Sequence, residues 1–335
     1  MELIDILPCP FFVLAPMDDV TDTVFRQIIQ GTAAPDMFFT EFVNVDGLQS
    51  PGRSKLLKKL QFVPGETNLV AQLWGKDPEN FRKTAEQIAD GILAKELGLP
   101  DGGGFVGIDL NMGCPAKSEV KNGTCSALML DRPLASEIIR ATQAGAGGLP
   151  VSVKTRLGWA DIDHTWAEFL LGHNLHMLTV HGRTKREMSK VPAHWDEIGK
   201  VRELRDKLAP NTLIVGNGDV ETRSQGEELA AKYGLDGIMI GRGVFHDPFV
   251  FASNSQWHQV SHQERLDLYT KHVTLFAQTW QEGDRPIHTL NKFCKIYING
   301  FDGAKELREQ LMAAQSTEEL LNLLHAASQN VLSSH

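Results

Sequence analysis

The chain has 335 residues, 42% of them hydrophobic and 22% charged, enough for one domain of about 250 residues and a smaller one beside it. A formal charge of −9 argues against a protein that coats nucleic acid nonspecifically, because phosphate binding runs on clustered Lys and Arg. The four cysteines, Cys9, Cys114, Cys125 and Cys294, contain no Cys-x-x-Cys pair; this argues against a zinc knuckle or a disulfide framework and for free thiols in a reducing cytoplasm, and no metal is expected.

Residues 6–17 run apolar, but Glu2 and Asp5 stand where a signal peptide wants positive charge, and Pro8, Pro10 and Pro16 interrupt the run. No other stretch approaches the ~20 apolar residues of a membrane span, so no membrane partner is expected. From there β-rich runs at 11–16, 37–43, 68–74, 105–111, 151–156, 177–181, 213–217 and 237–241 predict eight strands. Helical patterns lie between them at 23–30, 78–97, 134–144, 164–171, 195–208 and 223–233, with one more after the last strand at 245–252. Residues 55–60 read as a short helix or loop, and Gly102-Gly-Gly104 as a turn before a strand.

Continuous apolar strands alternating with amphipathic helices mean parallel strands covered by helices. Eight such units over about 250 residues fit a closed (β/α)₈ TIM barrel of the α/β class better than an open sheet. Beyond Gln256 the period turns helical through Leu266, Tyr269, Val273, Phe276, Ala277 and Trp280, with breaks at Gly283, Asp284, Pro286, Gly300 and Gly303. Ser316-Thr-Glu-Glu319 reads as a capping box opening a final helix. The expected division is a barrel over 1–255 and an all-helical domain over 256–335.

Polar or special residues recur at the C-terminal ends of the predicted strands: Pro16-Met17, Glu41, Gln72, Asn111 with Cys114, Lys154 with Arg156, His181 with Arg183, Asn217-Gly-Asp219 and Gly241-Arg-Gly243. A barrel gathers its active site on that face, so these residues would converge on one bowl. Cys114 is bracketed by Gly113 and Pro115, which fix unusual backbone geometry. A packing thiol, a nucleophile and a general acid all remain open for it; an ordinary thiol pKa of ~8.5 leaves it protonated at neutral pH, which suits an acid. Lys154 would be a fixed positive charge where an anion develops. His181 could polarise a carbonyl, bond a heterocycle or serve structure. The two glycine-bearing turns after the seventh and eighth strands offer backbone N–H groups and the Arg242 guanidinium to a phosphate. Three segments are basic, around Arg53–Lys59, around Arg183–Lys190, and at Arg285, Lys292 and Lys295; each alone reads as a solvated face.

Together, Ala15-Pro-Met17 with Val20-Thr-Asp22 and Arg26, Ala71-Gln-Leu73, Asp109-Leu-Asn-Met-Gly-Cys-Pro115, Ser152-Val-Lys-Thr-Arg156, Val180-His-Gly-Arg-Thr184, Asn217-Gly-Asp219 and Met239-Ile-Gly-Arg-Gly243 resemble the ordered motif series of the tRNA-dihydrouridine synthases. The resemblance implies an FMN enzyme, with NADPH as reductant, that reduces the C5–C6 double bond of a uridine in tRNA. It implies flavin contacts from Pro16, Met17, Asp18, Gln72, Lys154 and His181, with Asn217, Gly218, Asp219, Gly241 and Arg242 at the ribityl phosphate end. Asn111 would orient the base, and Cys114 would protonate C5 from the face opposite the hydride. A uridine stacked in folded tRNA must be extruded to reach such a bowl, and Arg183, Lys185, Arg186, Lys190, Lys292 and Lys295 would hold the RNA backbone. A monomer acting in the cytoplasm is the expectation. The sequence departs from the family pattern at Asp19, where glycine is common, at Cys125-Ser126, where small glycine-like residues are usual, and near Met188, where an aromatic is usual; Cys125 is read as packing. The rival readings are another FMN barrel acting on a free pyrimidine, like dihydroorotate dehydrogenase, and a noncatalytic RNA-binding barrel.

Overall fold

The computed structural model describes residues 7–66, 68–99, 104–280 and 284–333. Glu2, Asp5, Gly102, Gly103 and Gly283, singled out in the sequence, lie outside them.

Among the described residues nine parallel strands run in chain order as β1 (Phe11–Leu14), β2 (Met37–Phe39), β3 (Val43–Asn44), β4 (Leu69–Trp74), β5 (Gly107–Met112), β6 (Val151–Arg156), β7 (Met177–His181), β8 (Leu213–Asn217) and β9 (Gly237–Ile240). β1 pairs with both β2 and β9, and β2 also pairs with β4, which closes a ring of eight; β3 lies outside that ring against β4. This is the expected TIM barrel. The strand predicted over 37–43 is split into β2 and β3, because the Thr40 hydroxyl, at 3.1 Å, accepts the Gln72 N–H and takes the place of a main-chain ladder acceptor.

Alternation along the strands sets what lies inside. Phe11, Val13, Ala15, Met37, Phe39, Val70, Met177, Val215 and Met239 form one buried cluster, and they occupy every second position of their strands. Residues two further along therefore point the same way, toward the barrel axis at its C-terminal end. Around this barrel run the helices Pro78–Ala89, Arg132–Gly145, His164–Leu171, Trp195–Leu208 and Arg223–Tyr233. Asp77, Asp131, Asp163 and Thr222 cap four of them through side-chain oxygens. Gly145 permits close helix packing, since a Cβ there would lie 2.2 Å from the Arg82 carbonyl oxygen. The helix predicted over 78–97 is two helices, Pro78–Ala89 and Ile92–Glu96, divided by Gly91 at φ 70°. The left-handed turn ends the first helix and caps the second.

The chain divides into two compact units, one holding the residues through Thr23 and Pro35–Gly241, the other Val24–Ala34 and the residues from Arg242 onward. The division falls before Arg242 rather than after residue 255, and it takes the first helix, Thr23–Ala33, almost entirely into the helical unit. The reason is aromatic: Phe25 stacks on His272 at 5.8 Å and packs against Phe293 at 4.7 Å, in a core that also holds Tyr269 and Tyr297. The helix predicted over 245–252 is absent. A 3₁₀ turn spans Arg242–Phe245, and beyond it Pro248 has no N–H to give while the Asp247 carboxylate accepts the Phe249 N–H at 2.7 Å, so local turns win over helix. Among the described residues four α-helices complete this unit, His262–Thr279, Asn291–Tyr297, Ala304–Ala313 and Thr317–Ser333. Ser261 and Glu264 form a full capping box on the first of them; Ser316 caps the last with one arm only, since the Glu319 carboxylate turns to the Gln315 N–H. Among the described residues no helix is long and apolar enough to cross a membrane.

Candidate active site

Strand alternation carries Gln72, Asp109, Asn111, Ser152, Lys154, Thr179, His181 and Asn217 inward from β4 through β8, in successive levels toward the C-terminal ends of the strands. Their side chains are tied to one another across the barrel strands. Ser152 Oγ donates to Asp109 Oδ1 at 2.5 Å and Gln72 Nε2 donates to Asp109 Oδ2 at 2.7 Å. Asn111 Nδ2 donates to Gln72 Oε1 at 3.2 Å, and Asn111 Oδ1 accepts the Gly113 and Cys114 backbone N–H groups at 3.2 and 3.0 Å. Lys154 Nζ donates to Asn217 Oδ1 at 3.2 Å, and Asn217 Nδ2 donates to the Met239 carbonyl at 2.9 Å.

The electrostatics of this layer follow from burial. Asp109, fully buried, is pushed up to about 6 by loss of solvent, against the hydrogen bonds from Ser152 and Gln72 and the charge of Lys154. Lys154 is lowered to about 8, chiefly by burial and then by Arg156, while Asp109 and Cys114 oppose the shift. A cation is thus held at the floor of the bowl with its pKa drawn toward neutrality.

Cys114 stands just past β5, half-buried, on a loop held from below. Arg156 Nε donates to the Gly113 carbonyl at 2.8 Å, and a Cβ at Gly113 would come within 3.2 Å of the Thr155 backbone. Cys125 is not mere packing. It is fully buried, adopts φ 53°, and its thiol hydrogen-bonds to Cys114, while the next residue, Ser126, donates its N–H to the Cys114 carbonyl at 3.3 Å. That thiol contact is the largest cause of a Cys114 pKa lowered to about 7; burial and Glu119 oppose it, and the Ala116 backbone N–H and Arg156 assist it. The family's preference for small, glycine-like residues here and at Asp19 has the same physical cause, since Asp19 and Cys125 both lie in the left-handed region at φ 53°.

The remaining predicted contacts divide. Pro16 and Met17 are half-buried in the turn after β1, where Thr21 Oγ1 accepts the Met17 N–H at 2.9 Å. Asp18 is exposed and its carboxylate is taken by the Lys59 ammonium. Asp18, Asp19 and Glu41 bring carboxylate oxygens within 4.8 Å of one another, and Lys59 is the cation among them. Gly218, at φ 135°, is a required glycine: a Cβ would meet Ala193 Cβ at 2.7 Å and the His181 ring at 3.4 Å. Asp219 pairs with Arg183 and accepts the Ala193 N–H at 3.0 Å, so its carboxylate shapes the turn. Gly241 follows β9 and Arg242 is exposed beyond it.

Arg183 is a correction. It is buried, with its guanidinium donating to the Val191 carbonyl, to His181 Nε2 at 3.0 Å and to Asp219. It orients His181 and cannot hold RNA. Lys185 lies over the Trp159 ring at 4.4 Å, and Arg186 pairs with Asp161 at 2.6 Å. Lys190, Lys292 and Lys295 are exposed. Sequence reading missed Asp109 and Ser152 as site members; the available signal was their place two residues before Asn111 and Lys154 on the same strand faces.

The residues present fit a flavin. Gln72, Asn111, Lys154 and Asn217 supply amide and ammonium donors on β4, β5, β6 and β8 above an apolar core, and on β7 between the last two the Thr179 hydroxyl, whose residue pairs in register with Lys154, is buried with no hydrogen-bond partner. A TIM barrel with a cationic, amide-lined floor and a thiol at its mouth defines a class of enzyme that acts on a flat, polar heterocycle. The chain belongs to the dihydrouridine synthase family, whose sequence model matches residues 13–332. A probable tRNA-dihydrouridine synthase of Staphylococcus aureus (strain COL) is 48% identical over 321 residues, covering 95% of this chain and 93% of its own. Probable tRNA-dihydrouridine synthase 2 of Bacillus subtilis (strain 168) is 46% identical over 321 residues, covering 95% and 94%. Among solved structures, a morphinone reductase mutant in complex with tetrahydroNAD covers 74% of this chain and 87% of its own at a TM-score of 0.47 and 11% identity.

Proposed function

We propose that this protein reduces the C5–C6 double bond of a uridine in tRNA, in the cytoplasm, with FMN as cofactor and NADPH as reductant. The observation that carries the reading is Cys114, presented at the barrel mouth by Asn111 and accompanied by the Lys154 cation. FMN, when bound, supplies the hydride for uracil C6. Gln72, Lys154, His181, Pro16 and Met17 would hold its ring, and the Asn217-Gly218 and Gly241-Arg242 turns its phosphate end. Lys154 would supply a positive charge to the flavin where negative charge develops. Asn111 spends its carbonyl on the Cys114 loop and keeps one N–H for the base. Cys114 gives its proton to C5 and is left as a thiolate, which the Cys125 thiol stabilises by donating to it. The base arrives extruded from the tRNA, and Lys185, Arg186, Lys190, Lys292 and Lys295 would meet the phosphates.

The test is turnover by the purified, flavin-loaded protein with NADPH and unmodified tRNA, against free uracil and orotate. Dihydrouridine is expected in tRNA alone, and Cys114→Ala should lower its formation by roughly 10²–10⁴-fold, the range of general acid catalysis. Turnover of free orotate without tRNA reduction would give the protein to the free-pyrimidine class, and a colourless protein to the noncatalytic one.

A further inference from the structure

The hydrogen bonds that end at Cys114 run from Ser152 on β6 to Asp109 on β5, cross to Gln72 on β4 and return to Asn111 on β5, and they have a direction. Backbone N–H groups can only donate, so the Asn111 atom facing Gly113 and Cys114 is its oxygen. Its Nδ2 then faces Gln72, which must accept through Oε1, and this leaves Gln72 Nε2 pointing at Asp109. Only an acceptor suits that place. Asp109 is fully buried on β5, and its other oxygen takes the Ser152 hydroxyl.

We infer that Asp109 is a positioning residue for the reaction, the anchor of a polar relay through Gln72 and Asn111 that holds the backbone of the Cys114 loop. This rests on Cys114 being the proton donor. An acceptor-only group at one end fixes the orientation of both amides, and both backbone donors at the other end are satisfied only in that orientation. Reversing Asn111 sets donor against donor at Gly113 and Cys114, and reversing Gln72 sets donor against donor at Asn111 and acceptor against acceptor at Asp109. The arrangement also explains a buried carboxylate in a barrel interior where an apolar residue would pack at lower cost.

Polarity gives the relay a signature that packing does not have. In Asp109→Asn the new amide can keep its oxygen toward Gln72 while its nitrogen donates to Ser152 Oγ, so the relay stands. In Ser152→Ala the carboxylate remains an acceptor on both oxygens, and the relay again stands. In the double variant the introduced amide has no acceptor on the Ser152 side; turning to find one in Gln72 reverses the chain and orphans the Gly113 and Cys114 N–H groups.

The measurement is amide hydrogen exchange at Gly113 and Cys114 in the full-length holoprotein, with the β6 amides as a folding control. Each single variant is expected within ~3-fold of wild type and the double at least ~10-fold faster at Cys114, with β6 protection kept. In turnover the same double variant should lose kcat for tRNA with KM little changed. Gln72→Leu, which removes the middle of the relay and leaves Asp109 in place, should also speed exchange at Cys114, and it serves if the double variant fails to fold. Exchange at Cys114 that is unchanged in the double variant or in Gln72→Leu, or that is only the product of the two single effects, overturns the relay. If the wild type makes no dihydrouridine, the proposed function fails on that result alone, and the exchange rates still decide the relay.

Discussion

Cys114 differs from an ordinary thiol because of one neighbour. In the proposed role, a donor that protonates carbon near neutral pH works best with a pKa close to the operating pH, and Cys114 is lowered to about 7 chiefly by the Cys125 thiol. Removing that donor removes the largest stabilisation of the thiolate, so the Cys114 pKa rises. In Cys125→Ala the pH midpoint for iodoacetamide labelling of Cys114, followed on its own peptide by mass spectrometry, should move upward, and labelling at pH 7 should slow by roughly 10-fold as the thiolate fraction falls. An unmoved midpoint would return Cys125 to packing. Cys114, Asn111 and Lys154 were legible in the sequence because strand-end position alone places them. Cys125 was not, since its contact depends on a left-handed backbone angle that residue spacing does not encode. Arg183 misled for a related reason: a basic residue in a basic run looks solvated until the His181 and Asp219 partners that bury it are seen.

Elements were legible where period and punctuation agreed. β6, β7, β8 and three of the barrel helices lie where their patterns placed them; polar residues end the strands, and Asp163 and Thr222 cap two of the helices. The misses share one cause, local backbone geometry and hydrogen bonding that override apolar spacing: Thr40 interrupts the second strand, Gly91 divides a helix at φ 70°, and Asp247 with Pro248 replaces a helix by turns. The turn that ends β8 is sensitive to a single change. Gly218 has φ 135° and no room for a Cβ beside Ala193 and His181. Gly218→Ala should therefore cost about 1–3 kcal/mol through strain. Because the same turn presents Asn217 toward Lys154, flavin bound per mole of purified protein should fall with the thermal midpoint. Full flavin content in a destabilised variant would separate the turn from the cofactor.

At the scale of the whole chain the puzzle is charge, since a protein of formal charge −9 is proposed to hold a polyanion. Electrostatics resolve it locally, because salt screens exposed charges beyond about 8–10 Å and an RNA phosphate responds to the cations it touches rather than to the sum. Several cations of the chain serve the fold itself: Arg183 pairs with Asp219, Arg205 with Asp236, and Arg82 with Glu79 and Glu86. Lys292 and Lys295 matter by position. Both are exposed, at a three-residue interval and so on one face of the helix Asn291–Tyr297, whose opposite face buries Phe293, Cys294, Ile296 and Tyr297. Two phosphates neutralised there release counterions, and each contributes about 0.7–0.9 to the slope of log affinity against log salt. Lys292→Glu/Lys295→Glu should therefore weaken tRNA binding and flatten that slope by roughly 1.4–1.8, while flavin content and flavin reduction by NADPH stay as in the wild type. The flattening is the decisive quantity, because a variant that merely misfolded would lose affinity and flavin together. An unchanged slope would mean that the RNA is held elsewhere, with Lys185, Arg186 and Lys190 the next to reverse.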